Sequence, residues 1–153
     1  MKYISHRGNI NGPFNELENN PDYIDEALKL GYDVELDIWY LGDKLYLGHD
    51  EPTYEITFHW LQERVTNLWV HCKNIESVEF LRQFDWVHYF WHQNDDITLT
   101  SFNFLWTYPG KQLMNSSICV MPENNNEIIT QDIYGICSDY IKKYKNEKNN
   151  IPM

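Results

Sequence analysis

The sequence predicts an α/β domain, a compact (β/α)8 barrel with several outer helices shortened or missing. Eight short runs rich in β-branched and aromatic residues recur along the 153 residues. Helical periodicity separates several of the early runs. Histidines and carboxylates cluster at the ends of the first three strand-like runs, and in a parallel barrel those ends open on one face. Length argues for a reduced barrel, because such folds typically need about 250 residues and rarely fewer than about 200. On pattern alone, an open α/β sheet remains an alternative.

The strands are expected at 2–5, 33–39, 44–48, 67–71, 87–92, 103–108, 117–121 and 133–138. The first helix opens at Asn20-Pro21, presents Ile24, Ala27 and Leu28 on one face, and ends at Gly31. A second is expected over 57–65, capped by Thr57. A third covers 77–84, entered from Asn74, with Val78, Leu81 and Phe84 as its apolar stripe. The second half offers almost no helical period: Asp95-Asp96 reads as a turn beside an extended segment, and 121–126 as a loop. The polar tail from about 142 reads as a last helix that frays. No linker or repeat divides the chain, so residues 1–153 are read as a single domain.

Composition excludes several function classes. A net charge of −11 opposes binding to a nucleic-acid backbone or docking on anionic lipid. No apolar run reaches the length of about 18 residues that spans a bilayer, and a strand pattern starts almost at Met1 where a signal peptide would stand. Cys72, Cys119 and Cys137 are odd in number and widely spaced, which suits buried reduced thiols and a cytoplasmic location.

The segment Asp33-Val34-Glu35-Leu36-Asp37-Ile38 places three carboxylates on one strand face and three apolar residues on the other. A solvated polar face is the simple reading. The functional reading aims Glu35 and Asp37 into a pocket, where a hard divalent cation offsets their mutual repulsion. His6 and His49 each follow an apolar strand and precede a Gly or Asp turn. An imidazole titrates near neutral pH, so one can accept a proton while the other donates. Trp39, Tyr40, Trp91, Trp106 and Tyr108 fill the core or line a groove for a sugar, lipid or aryl group.

The ordered motifs His6-Arg7-Gly8, Glu18-Asn19, Glu35-Leu36-Asp37 and His49-Asp50 resemble the glycerophosphodiester phosphodiesterase family, among the phospholipase-C-like phosphodiesterases. Lys73 matches the family lysine, but His71 stands where the family has an acid. The segment 135–140 resembles the family's last strand. The resemblance implies a TIM barrel that cleaves a small phosphodiester of lipid metabolism, with His6 as base and His49 as acid, roles the two can exchange. It implies a cation, Mg²⁺ or Ca²⁺, on Glu35, Asp37 and the His71 position, with Mn²⁺ also suited because imidazole favours softer metals. Arg7, Glu18 and Lys73 would bind phosphate or support the site; for Arg7 a structural ion pair with Glu18 is the equal alternative. A weakened relative that only binds phosphate or metal, or a lyase releasing a cyclic phosphate, are the other readings.

A barrel lacking outer helices leaves apolar strand faces uncovered, and self-association through them is expected. Sedimentation at high concentration should show a species heavier than 18.5 kDa; a monomer throughout would count against it.

Overall fold

The computed structural model describes residues 1–149. Its elements are β1 (Lys2–His6), α1 (Pro21–Lys29), β2 (Asp33–Leu41), β3 (Lys44–Leu47), β4 (Tyr54–Ile56), α2 (Phe58–Arg64), β5 (Leu68–Cys72), α3 (Ile75–Leu81), β6 (Tyr89–Phe90), β7 (Ile97–Leu99), β8 (Leu105–Thr107), β9 (Ser117–Val120), β10 (Gly135–Ser138) and α4 (Ile141–Asn149). Short 3-10 turns occupy Val65–Asn67 and Pro122–Asn125. The last residues of the expected tail, 150–153, lie outside the described residues.

The ten strands form one mixed sheet curled into a half-barrel, which corrects the expectation of a (β/α)8 barrel. A parallel core runs β6-β5-β2-β1-β10-β9-β8. Among the described residues no ladder joins β6 to β8, so the curl stays open. Ser101 bridges part of that gap, donating from its backbone N to Tyr89 O at 2.9 Å. Three physical causes separate the fold from the expected one. First, no α-helix lies between Leu81 and Ile141, so the β8–β9 and β9–β10 crossovers are loops and one 3-10 turn. Second, the run at 44–48 is antiparallel to β2, not parallel. Gly42 and Asp43 between them both have positive φ, 55° and 60°, the backbone of a two-residue hairpin turn. Third, a short strand appears where none is expected, β4, and the extended segment beside the Asp95-Asp96 turn forms β7; both extend the sheet antiparallel.

The first two helices lie where periodicity puts them, while α3 starts and ends earlier than the expected 77–84, so Phe84 of the expected stripe falls after it. Asn20 Oδ1 accepts from the Asp22 and Tyr23 backbone N, and Thr57 Oγ1 from Trp60 N. Val34, Leu36 and Ile38 are fully buried with Ile24 and Ala27 of α1, Leu61 of α2 and Leu81 of α3. Burial of each such side chain is worth about 1.5–3 kcal/mol. The opposite, concave face is filled lower down by Ile4, Trp69, Phe90, Trp106, Ile118 and Cys137. The α4 helix covers β1 and β10, with Ile141 buried beside Tyr32 and Ile136. Around the uncovered β7 hairpin, Ile97, Leu99, Phe102 and Met114 are exposed. No helix among the described residues is long and apolar enough to cross a membrane.

One side chain welds α3 to β2. Asn74 Oδ1 accepts from Ser77 N at the helix start and from Tyr40 N on the strand, both at 3.2 Å, while its Nδ2 donates to Tyr40 O at 2.9 Å. Asn74→Ala removes a helix cap and strands two backbone groups, so urea unfolding should show a loss of about 2 kcal/mol. Asn74→Asp, which keeps the acceptor, should lose less.

Candidate active site

Strand register assembles the site. Parallel pairing sets His6 beside Glu35 across β1 and β2, and His71 beside Asp37 across β2 and β5. Paired residues of a parallel ladder project to the same face, so two imidazoles and two carboxylates share the concave surface. The alternation along β2 is as the sequence predicts, but its polar face is not solvated: Asp33, Glu35 and Asp37 are all buried. Asp33 is the structural member, held by Lys2 Nζ at 3.0 Å, Asn67 Nδ2 at 2.9 Å and Trp69 Nε1 at 3.0 Å.

Asp37 has no solvent exposure and is surrounded by cations. Its Oδ2 accepts from Asn19 Nδ2 at 2.9 Å and lies 3.0 Å from Arg7 Nε. Its Oδ1 lies 3.1 Å from His71 Nδ1 and 3.9 Å from Lys73 Nζ. Burial alone would raise the Asp37 pKa, yet His71, Arg7 and Asn19 together hold it well below the usual carboxylate range. These contacts are close enough for charge attraction but not all are aligned. Arg7 Nε, Glu35 Oε2 and Asp37 Oδ1 are buried and make no directed hydrogen bond among the described residues.

His71 is fixed from both sides of its ring. Its Nε2 faces His92 O at 2.9 Å, and because a carbonyl only accepts, this nitrogen carries a proton. Phe90 stacks on the ring at 5.0 Å with planes 11° apart. Burial lowers the His71 pKa, but Asp37 and Glu35 raise it by more, to about 9. His6 is held in the same way. Its Nδ1 donates to Asp139 Oδ1 at 2.7 Å, and its Nε2 lies 3.7 Å from Glu35 Oε2. Burial lowers its pKa, while Asp139 and Glu35 offset that and leave it above the ordinary value. Asp139 is itself pinned: its Oδ1 accepts from Asn9 Nδ2 at 2.8 Å, and its backbone N donates to Glu123 Oε1 at 3.2 Å.

His6, Arg7, Glu35, His49, His71 and Lys73 line one cavity of about 590 Å³, with Asp37 buried beneath it. Its other wall carries no acid, lysine or arginine: Trp106, Tyr108, Pro109, Val120 and Met121, the amides of Gln93, Asn124 and Asn125, and His92, whose pKa burial lowers. His49 is the most exposed of the group and bonds through Nδ1 to Asp50 Oδ1 at 2.8 Å. The Gly48 before it has φ +153°, and an added Cβ would lie 2.0 Å from Glu51 O, so this tight loop demands glycine. Both alternatives for Arg7 find support: it lines the cavity, and its Nη1 donates to Glu18 Oε2 at 3.1 Å. Glu18 also accepts from Asn9 Nδ2 at 2.9 Å, so it acts on the cavity through Arg7 and Asn9. A cavity of similar size, 610 Å³, opens beside α4 but is lined by no histidine.

Sequence reading missed two contributors. Asp139 stands in the recognised segment 135–140, yet its partner His6 is 133 residues away and no local signal joins them. His92 acts through its backbone carbonyl, which no residue type announces. Asn19, marked in sequence by the Glu18-Asn19 motif, leaves the helix cap to Asn20 and reaches Asp37, accepting from Asp37 N at 2.9 Å as well.

Glu35, Asp37 and His71 each offer one donor atom, all within 4.8 Å of one another. Asp37 Oδ1, buried, without a directed partner and 3.1 Å from His71 Nδ1, with Glu35 Oε1 3.7 Å from the same nitrogen, fits a divalent cation. Comparison of the chain with family models, with curated proteins and with solved structures finds no match.

In the metal-free protein the His71 pair gives a signed pH dependence. An unfolded imidazole titrates at about 6.5, and the folded one at about 9. The stabilisation is therefore complete below pH about 6.5 and is lost as pH rises through about 9, up to about 3 kcal/mol in all. Urea midpoints measured between pH 6 and 9.5 should fall, and His71→Gln should flatten that slope.

Proposed function

We propose that this protein is a divalent-cation-dependent phosphodiesterase that cleaves a small glycerophosphodiester-like substrate by histidine acid–base chemistry. The supporting observation is convergence: residues singled out across the first half of the chain line one cavity. Glu35, Asp37 and His71 are the groups to hold the cation. When bound, it supplies electrostatic stabilisation to the phosphoryl oxygens as their charge develops.

The chain's own groups divide the remaining work. Lys73 and Arg7 give the cavity positive charge that attracts a phosphodiester. His6, with its Nδ1 proton held by Asp139, turns Nε2 toward the cavity and takes the proton of the attacking hydroxyl. His49, on the exposed rim of the cavity, supplies a proton to the leaving oxygen. The wall without acid, lysine or arginine suits a neutral alcohol group, such as glycerol, a sugar or an aryl ring, over a charged one.

One observation favours a second reading. Arg7, His71 and Lys73 already offset the Asp37 charge from within the protein. That arrangement suits a module that binds phosphate and turns over slowly or not at all.

Assay against glycerophosphodiesters and an aryl phosphodiester with Mg²⁺, Ca²⁺ and Mn²⁺ separates the readings. His6→Ala and His49→Ala should each lower kcat by about 10²–10⁴-fold. Activity unmoved by both would sink the mechanism, and phosphate binding without turnover under any ion would favour the module. Phosphorus NMR of the product distinguishes an open monoester from a cyclic phosphate.

A further inference from the structure

His71 is the feature of the site that the carboxylates do not explain. Its tautomer is set from outside: Nε2–H is committed to His92 O at 2.9 Å, so in the neutral ring the lone pair sits on Nδ1. Phe90, stacked at 5.0 Å and 11°, holds the ring plane. Nδ1 then lies 3.1 Å from Asp37 Oδ1 and 3.7 Å from Glu35 Oε1. An ion with donors at about 2.1 Å keeps neighbouring donors about 3.0 Å apart when six-coordinate and about 3.4 Å apart when four-coordinate. The Nδ1 to Asp37 Oδ1 distance falls in that range, the Nδ1 to Glu35 Oε1 distance is wider, and one donor atom from each of the three residues lies within 4.8 Å of the others. The backbone bond that fixes the second ring nitrogen is the usual support of a metal-binding histidine.

We infer that the site takes a transition ion of the Mn²⁺ or Zn²⁺ kind in preference to Mg²⁺ and Ca²⁺, and that His71 Nδ1 sets the choice. The inference rests on the proposed cation site and adds which ion it selects and which atom selects it. Ca²⁺ seeks six to eight oxygens and Mg²⁺ an oxygen octahedron. Here two carboxylates supply the oxygens and the third donor is nitrogen, which suits Zn²⁺ best and, in a mixed oxygen and nitrogen set, favours the transition ion Mn²⁺ over Mg²⁺ and Ca²⁺. Asp37 Oδ1, wholly buried and without a directed partner, is the oxygen that gains most from such an ion. Lys73 Nζ, 3.9 Å from Asp37 Oδ1, repels every divalent ion alike and does not discriminate among them.

Titration calorimetry of the metal-free protein with Mn²⁺, Zn²⁺, Mg²⁺ and Ca²⁺ tests the selection without any substrate. Wild type should bind Mn²⁺ and Zn²⁺ at least tenfold more tightly than Mg²⁺ or Ca²⁺. His71→Asp should narrow the Mn²⁺ to Mg²⁺ ratio at least tenfold, and His71→Gln should weaken Mn²⁺ at least tenfold. Pulsed electron paramagnetic resonance of the wild-type Mn²⁺ complex should show coupling to a directly bound nitrogen, a readout that depends on no variant folding. Mn²⁺ bound without that coupling, or a ratio unmoved by His71→Asp, would overturn the inference and leave the cation site standing. Binding of none of the four ions would overturn both.

Discussion

Burial of carboxylates on one face of a central strand is the constraint on which the rest of this structure turns. Asp33, Glu35 and Asp37 all lie on the concave side of β2, and none is solvated. Removing a charged carboxylate from water costs several kcal/mol unless opposite charge and hydrogen bonds replace the water. Each neighbour can be read as part of that replacement. Lys2, Asn67 and Trp69 serve Asp33; Arg7, Asn19, His71 and Lys73 serve Asp37. Glu35 is the least served, with His6 and His71 both 3.7 Å away and Oε2 lacking a directed partner. The incomplete satisfaction lies where the cavity opens.

The reduced helical layer shifts the task of positioning onto loops. Asp139 follows β10 and is held by Asn9 from the first loop and Glu123 from the 3-10 turn after β9. Glu123 Oε1 also accepts from Ser138 Oγ at 2.8 Å, so one carboxylate fixes the end of the last strand. Asn19 reaches β2 from the loop before α1. Polar side chains from loops thus orient both His6 and Asp37, with the sheet register supplying the coarse placement. The aromatic side chains divide similarly: Trp69, Phe90 and Trp106 pack in the concave core, with Phe90 and Trp106 ring centres 4.6 Å apart, while Tyr108 stays on the cavity wall.

Much of the first half was legible because its signals are local. Alternation assigned both faces of β2, and Pro21, Thr57 and Asn74 marked helix starts. The α3 helix begins at Ile75, two residues before the apolar stripe suggested, because Asn74 caps it directly. The barrel expectation failed on features that are less local. Gly42-Asp43 is a hairpin signal, and it turns the run after it back antiparallel against β2, where a barrel needs a parallel strand. The three-residue strand β4 is too short for periodicity to reveal, and β7 is legible only as an extended segment beside a turn; each adds antiparallel to the edge of a neighbouring strand. Within the site, Glu35, Asp37, His6 and His49 were readable from residue type and position. The partnership of His6 with Asp139 depends on β1 pairing with β10, the two ends of the sheet in sequence, and only the fold brings them together.

The proposed chemistry depends on one cavity receiving a cation on Glu35, Asp37 and His71 with a phosphodiester beside it. Anomalous diffraction from crystals soaked with Mn²⁺ and a non-hydrolysable phosphodiester analogue addresses that directly. A single strong peak among those three residues, with the analogue's phosphate between it and His6 Nε2, is the expected result. Manganese bound elsewhere, or an analogue outside the cavity lined by His6, His49 and Lys73, would contradict it.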